Sequence, residues 1–467
     1  MMIHALRRKI PLSNSTLLRL AILAGLLVGL LGIGFVAPRV SSELVLLAVA
    51  VPPVVFLALS RLEYGVPAII ATAAFVRFSL STGTQSRIVA SLLMTFISIA
   101  LWFARMLVVD KRLRLKPANT NVPLLAFLVT AVVSYVWSNA FRDALVVVWG
   151  SWPFVQLGAL AVTILLPGAF LFTINSASEV RWLKMLCGLM IGIGVLALVA
   201  HFLNVYLPFL NTRGLFSLWF VSLAYAQALF NKKLSFGLRL TLLGLVGAWL
   251  YIYFITQVEW LSGWLPSLIA VAMISLSRSR WLFLVLILVL VIYVGLNWDY
   301  YVGTVVADES EVSGNTRMNA WEHNWRVTGK HLVFGTGPAG YAAYYMSYFP
   351  AEAMATHSNY IDVLAQNGIF GLFFCLWFFG ALVWTGYQVR RRVRGLADFS
   401  EGFANATLAG CVGVIVAMGL GDWMFPFVYT QTIAGFDYAV YSWVLLGGMV
   451  ALSNIYPEDW ATGVSDD

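Results

Sequence analysis

Residues 280–296 read Arg-Trp-Leu-Phe-Leu-Val-Leu-Ile-Leu-Val-Leu-Val-Ile-Tyr-Val-Gly-Leu, and after Arg280 the stretch holds no charged side chain. Residues 152–174, WPFVQLGALAVTILLPGAFLFTI, carry the same character over a longer run. A helix rises about 1.5 Å per residue, so roughly 20 residues cross a hydrocarbon core about 30 Å thick. Lipid offers no partner to a backbone N–H or C=O, so a spanning segment must satisfy its own, as a helix does. Strands of a membrane barrel would alternate apolar and polar residues, and these runs do not. They read as membrane-spanning helices.

The whole chain agrees. Of its 467 residues 61% are apolar and 11% charged, against roughly 45–50% and 25% in soluble chains. This composition excludes disorder, a coiled coil and a disulfide scaffold. Fourteen runs reach spanning length: 17–37, 43–60, 64–81, 86–109, 121–138, 152–174, 181–203, 214–230, 236–255, 261–277, 280–296, 366–388, 403–421 and 429–452. Pro52, Pro53 and Pro67 interrupt the pair 43–60 and 64–81, and Arg77 lies near its end, so this pair either crosses or re-enters. The expected fold is all-α, a polytopic transmembrane helix bundle of 12–14 spans. It divides into an N-terminal bundle over 1–296, a loop outside the membrane over 297–365, and C-terminal helices with a short tail over 366–467. Arg7, Arg8 and Lys9 precede a first run too long for a signal peptide and without a small-residue cleavage pattern, so it reads as an uncleaved anchor.

Basic residues mark the cytoplasmic side of a membrane protein. With fourteen spans and the N-terminus inside, five clusters fall on that side: Arg7/Arg8/Lys9, Lys111/Arg112/Arg114/Lys116, Lys232/Lys233, Arg278/Arg280 and Arg390/Arg391/Arg392/Arg394. Both termini are then cytoplasmic. Outside remain Arg39, Arg77, Arg87, Arg142, Arg213, Arg317, Arg326 and Lys330. The net charge of +8 is an orientation signal, and no nucleic-acid partner is expected.

The loop 297–365 is expected to fold back over the bundle with amphipathic helices of its own, since long loops are uncommon without a function. Residues 318–331 read as one such helix, with Trp321, Trp325 and Thr328 on one stripe. Gly335-Thr336-Gly337-Pro338-Ala339-Gly340 reads as a turn, because glycine alone accepts positive φ at no cost.

Charged groups at outer helix ends are the candidates for chemistry: Arg213 where a span begins, Arg317 at the start of the loop helix, His357 opening the next span, with Glu259 and Asp422 at further ends. An arginine is always protonated and its planar fork matches phosphate oxygens. Two can neutralise a diphosphate without a metal, and histidine is the natural base near neutral pH. Together they suit transfer of a group away from a diphosphate at the outer membrane boundary. The other motifs are missing: the chain has no H-E-x-x-H, G-x-S-x-G or P-loop, and Gly335–Gly340 lies outside any βαβ unit. Cys187, Cys375 and Cys411 fall in apolar runs without metal-ligand spacing, and Asp308, Glu309 and Glu311 read as a solvated loop. No metal or cofactor is expected.

The segment Thr356-His357-Ser358-Asn359-Tyr360-Ile361-Asp362-Val363-Leu364-Ala365-Gln366-Asn367-Gly368-Ile369-Phe370-Gly371 resembles the signature of the O-antigen ligase and polymerase superfamily. Upstream, Arg317, Trp321 and Phe334-Gly335-Thr336-Gly337-Pro338 resemble its Arg…Trp…Gly-x-Gly pattern, and Arg213-Gly214-Leu215-Phe216 its entry into a central helix. The resemblance implies a metal-independent, inverting glycosyltransferase of a bacterial cytoplasmic membrane. Such an enzyme takes a glycan from an undecaprenyl-diphosphate carrier on the outer leaflet and passes it to a hydroxyl of a glycan, lipid or protein acceptor. By the same resemblance Arg213 and Arg317 hold the diphosphate and His357 acts on the acceptor hydroxyl. Trp321, Asn359 and Tyr360 would line the substrate site. Two positions depart from the pattern. Val258-Glu259 stands where the family often has Ser-Arg, so Glu259 faces the acceptor or lies at the interface. Gln366 stands where a Glu is frequent, and Asp362, one turn earlier on the same face, is positioned to supply the carboxylate. The competing reading is a flippase for lipid-linked precursors, which would instead place charges and broken helices at mid-membrane.

Overall fold

The computed structural model describes residues 61–77, 79–81, 87–256, 260–303, 314–350 and 355–457, with the backbone alone for Ser81 and residues 314–317. The runs 17–37 and 43–60, Glu259, Asp308, Glu309, Glu311 and the tail beyond 457 lie outside the described residues. Contacts divide the chain into two units, Met1–Tyr64 with Ala100–Arg114, and Gly65–Ile99 with Leu115–Asp467. In the first, Leu62, Trp102 and Met106 are buried. The second holds the candidate site.

The elements in order are α1 (Gly65–Phe75), a hairpin of β1 (Ser79–Ser81) and β2 (Arg87–Val89), α2 (Ala90–Ala104), α3 (Asn121–Ala140), α4 (Trp152–Ser176), α5 (Val180–Phe202), α6 (Phe216–Phe230), α7 (Phe236–Leu250), α8 (Leu261–Arg278), α9 (Arg280–Leu296) and α10 (Trp298–Tyr301). There follow α11 (Gly314–Thr328), α12 (Gly340–Tyr348), α13 (Asn359–Arg392), α14 (Phe399–Leu420), α15 (Val428–Gln431) and α16 (Phe436–Ile455). Nine described helices are long and apolar enough to cross a membrane, and Leu62–Phe75, Phe216–Phe230 and Arg280–Leu296 are shorter apolar ones. These nine and three coincide with the twelve runs read from residue 64 onward. The chain is an all-α polytopic bundle, a multi-pass membrane protein.

Two expectations need correction. The run 64–81 is not one helix. The 11 residues of α1 span about 16 Å, and the chain then pairs Ser79 with Val89 and Ser81 with Arg87 in an antiparallel hairpin. The loop helix starts earlier than expected, at Gly314. Ala320, Asn324, Val327 and Thr328 face inward, while Trp321 and Trp325 are 37% and 56% exposed.

Helices α6, α14 and α16 form the centre, with α4, α8 and α13 packed around them. Without a hydrophobic drive between helices in lipid, close packing and interhelical hydrogen bonds hold them together. A Cβ at Gly410 would stand 2.4 Å from the Trp219 ring, so α14 approaches α6 through glycine. The Trp219 indole donates across to Ser442 Oγ on α16 at 2.8 Å. Helix α9 buries none of its residues, the pattern of a lipid-facing helix.

Candidate active site

Arg213 stands where α6 begins, and its segment is held from several sides. The Asn211 N–H donates to Ala74 O at 2.9 Å. Tyr441 donates its hydroxyl to Asn211 O at 3.1 Å, and Arg77 Nη2 donates to Leu210 O at 2.9 Å. The Asn211 amide oxygen accepts from the Arg213 N–H at 3.2 Å. Gly214 has φ +64°, and a Cβ there would meet the Tyr438 ring at 2.9 Å. The backbone is thus fixed while the Arg213 side chain is exposed, with no carboxylate paired to it among the described residues.

His357 sits on an equally restrained turn. Its φ is +49°, a left-handed conformation that costs a non-glycine residue about 1 kcal/mol or more. The residues around it are each tied. Trp321 Nε1 donates to Thr356 O at 2.7 Å. Thr356 Oγ1 donates to Asp362 Oδ1 at 2.6 Å, and Tyr341 donates its hydroxyl to the same oxygen at 2.6 Å. Asp362 N–H donates to Ser358 O at 2.9 Å. The Asn359 amide accepts from the N–H groups of Met424 and Phe425 at 2.9 and 3.2 Å and donates to Phe425 O at 2.7 Å. His357 itself is half-buried, and no described residue hydrogen-bonds its imidazole. Burial and the charge of Asp362 push the Tyr341 phenol well above its ordinary range, so it stays protonated and donates.

The turn at Gly335–Gly340 docks into a break in α13. Gly368 has φ +67° and ψ −169° inside that helix. A Cβ on Gly368 would lie 2.3 Å from Val333 O, and one on Gly335, with φ +72°, 2.3 Å from Gln366 O. Each glycine makes room for the other strand of chain. The break frees backbone groups of α13: Ala365 O and Gln366 O accept from the N–H groups of Thr336 and Gly337, each at 2.9 Å, and Ile369 N–H donates to Leu332 O at 2.7 Å. Gln366 Oε1 accepts from the Ala339 N–H at 2.6 Å. A glutamine at this position therefore serves the dock directly.

The segment 421–438 joins the two halves. Asp422 Oδ2 accepts from Phe427 N–H at 3.0 Å and Oδ1 from Gln431 Nε2 at 3.2 Å. The Gln431 amide oxygen accepts from the Tyr438 hydroxyl, and Tyr438 packs on Gly214. Phe427 stacks on Tyr341 with ring centroids 4.3 Å apart. A continuous set of contacts thus runs from the Arg213 segment to the His357 turn, at one end of the bundle.

Of the residues singled out from sequence, Arg213, Trp321, His357, Asn359 and Asp362 belong to this connected region. Asp362 is fully buried and Asn359 spends its amide on the 424–425 backbone. Tyr360 donates its hydroxyl to Ile415 O at 2.6 Å. Arg317 lies in α11, one turn before Trp321. Sequence reading passed over Thr356 and Tyr341 as functional, because only their shared bond to Asp362 singles them out. No group of three or more His, Cys, Asp or Glu that could hold a metal ion occurs among the described residues.

Residues 237–376 match the model of the O-antigen ligase family. The matched stretch contains Arg317, Trp321 and the whole segment 356–371, and it begins after Arg213. Over this stretch the chain is similar to the O-antigen ligase family. No curated protein matches the chain.

Proposed function

We propose that the protein transfers a glycan from an undecaprenyl-diphosphate carrier to an acceptor hydroxyl on the outer face of the cytoplasmic membrane. The acceptor oxygen attacks the anomeric carbon, its proton passes to His357, and the bond from that carbon to the diphosphate oxygen breaks. Attack opposite the leaving group inverts the anomeric centre. Arg213 and Arg317 take up the charge that develops on the diphosphate, the role fixed cations fill in a site with little water. With two guanidiniums the step needs no metal.

One observation supports this reading above others: among the described residues, an imidazole without a hydrogen bond on a tied, left-handed turn, at the same bundle end as the exposed Arg213 with no carboxylate paired to it. The observations give no support to the flippase reading. Whether the acceptor is a lipid, a protein or a second carrier-linked glycan separates ligase from polymerase.

The test uses purified protein in lipid nanodiscs with a synthetic polyprenyl-diphosphate glycan and acceptor. His357→Ala and, separately, Arg213→Ala and Arg317→Ala should each lower kcat/KM by about 10²-fold or more. Full activity in any one of them removes that residue's role. Loss of activity on adding a chelator would overturn the metal-free step.

A further inference from the structure

The turn that carries His357 is held by a carboxylate placed where substrate cannot reach it. Asp362 has no exposed surface. Its Oδ1 accepts two hydrogen bonds, from the Thr356 and Tyr341 hydroxyls, each at 2.6 Å. Its Oδ2 is buried with no hydrogen-bond partner among the described residues. A buried carboxylate with one oxygen unmet is costly, and a neutral side chain would fill the space at lower cost. What the arrangement achieves is a fixed Thr356. The Thr356 hydroxyl donates to Asp362 at 2.6 Å and lies 3.2 Å from Ser358 O, its carbonyl accepts from the Trp321 indole, and the Ser358 N–H donates back to Thr356 Oγ1 at 3.3 Å. The residue between these anchors is His357, in a backbone conformation it would not adopt by preference.

We propose that Asp362, Thr356 and Tyr341 are positioning residues, which hold the 356–358 turn in its left-handed form and so aim the His357 imidazole. The assignment rests on the reading that His357 acts on the acceptor. None of the three touches substrate; each acts through His357. A misplacement of about 1 Å at a reacting group can cost about 10²-fold in rate, so the effect belongs on kcat.

The experiment measures kcat and the donor KM for Thr356→Val, Thr356→Ser, Tyr341→Phe and His357→Ala in nanodiscs. Thermal unfolding and gel filtration identify the folded variants. Thr356→Val keeps the shape and loses the hydroxyl, so its kcat should fall by about 30-fold or more while the donor KM changes by less than about threefold. Thr356→Ser, which restores the hydroxyl, should return kcat to within about threefold of the native protein. Tyr341→Phe should lie between, about 3- to 10-fold down. The proposal is overturned if Thr356→Val keeps kcat within about threefold, or if Thr356→Ser is as impaired as Thr356→Val. If Thr356→Val is not recovered folded, Tyr341→Phe and Thr356→Ser decide: unchanged kcat in the first, or collapse in the second, overturns it. Full activity in His357→Ala would instead overturn the functional reading. An inactive His357→Ala beside an unimpaired Thr356→Val would overturn the positioning role alone.

Discussion

Asn359 shows how a single side chain sets the geometry of its neighbours. Its amide closes three hydrogen bonds with the backbone of Met424 and Phe425, and the side chain is fully buried. Asn359→Ala leaves two N–H groups and one carbonyl unmet in a dry environment, a loss of about 2–4 kcal/mol. We expect a lowered midpoint of thermal unfolding together with reduced transfer, because the His357 turn and the 421–427 segment then separate. A thermal midpoint like that of the native protein would show that the bonds are replaced by others. From sequence Asn359 reads as a substrate contact, as any polar group beside His357 would. Arg213, Arg317 and His357 stand out in sequence because they are ionisable groups at helix ends away from the basic clusters. An amide bonded to backbone 65 residues away carries no such mark. Gln366 is the same case: as a departure from a family pattern it looks like a loss, and in the fold its amide oxygen receives the Ala339 N–H.

Elements meet through backbone where glycine permits it, and this was half legible. Gly335 and Gly337 announce a turn in the sequence; that the turn enters a break in α13 at Gly368 follows only from the pairing of distant chain. The two causes of glycine's presence can be separated. Gly335 and Gly395 both have positive φ, but a Cβ at Gly335 meets Gln366 O at 2.3 Å while one at Gly395 meets nothing within 4 Å. Gly395→Ala should cost about 1 kcal/mol, the conformational part alone. Gly335→Ala adds a backbone clash and should cost about 3 kcal/mol or more, with loss of activity. Equal thermal shifts would contradict the close approach. A second contact between elements responds to pH. Tyr348 donates its hydroxyl to Asp143 Oδ2 at 2.6 Å, and Ser347 Oγ accepts from Val147 N–H, so α12 is tied to the loop after α3. His331, packed edge-on to Tyr344, is held below its ordinary 6.5 by burial, with Asp143 opposing and Lys330 adding. The Tyr348 bond, first, and the Leu145 N–H bond hold Asp143 below 3.8. Both groups bind protons more readily unfolded, so both contribute stability at high pH. The His331 part is complete above pH 6.5 and fades as pH falls through its depressed value; the Asp143 part fades only below 3.8. Deuterium exchange at amides 143–147 should therefore be flat from pH 8 to 7 and rise below 6.5, after correction for intrinsic rates. In His331→Gln that rise should vanish; if it persists, another group is responsible.

Across the whole molecule, the same helices that separate the candidate site from the basic clusters also explain where the charge went. Beyond its break at Gly368, α13 runs 24 residues from Ile369 to Arg392, about 36 Å at 1.5 Å per residue, enough to cross the roughly 30 Å hydrocarbon core. Its first end adjoins His357 and its last carries Arg390, Arg391 and Arg392. Helix α6 repeats the arrangement, with Arg213 before it and Lys232/Lys233 after it. One helix length thus separates each candidate group from a basic cluster. If basic clusters mark the cytoplasm, the His357 end faces outward. Single cysteines test this directly, because Cys187, Cys375 and Cys411 are buried and free, leaving a low background. Tyr206 is 86% and Met318 67% exposed near the His357 end, while Lys233 and Arg394 are exposed near the other. A membrane-impermeant maleimide should label Tyr206→Cys and Met318→Cys in spheroplasts, and Lys233→Cys and Arg394→Cys only after the membrane is opened. The reverse pattern would put the His357 turn in the cytoplasm and remove the outer leaflet as the place of transfer. Labelling of both sets in intact spheroplasts would mean that α6 and α13 do not cross.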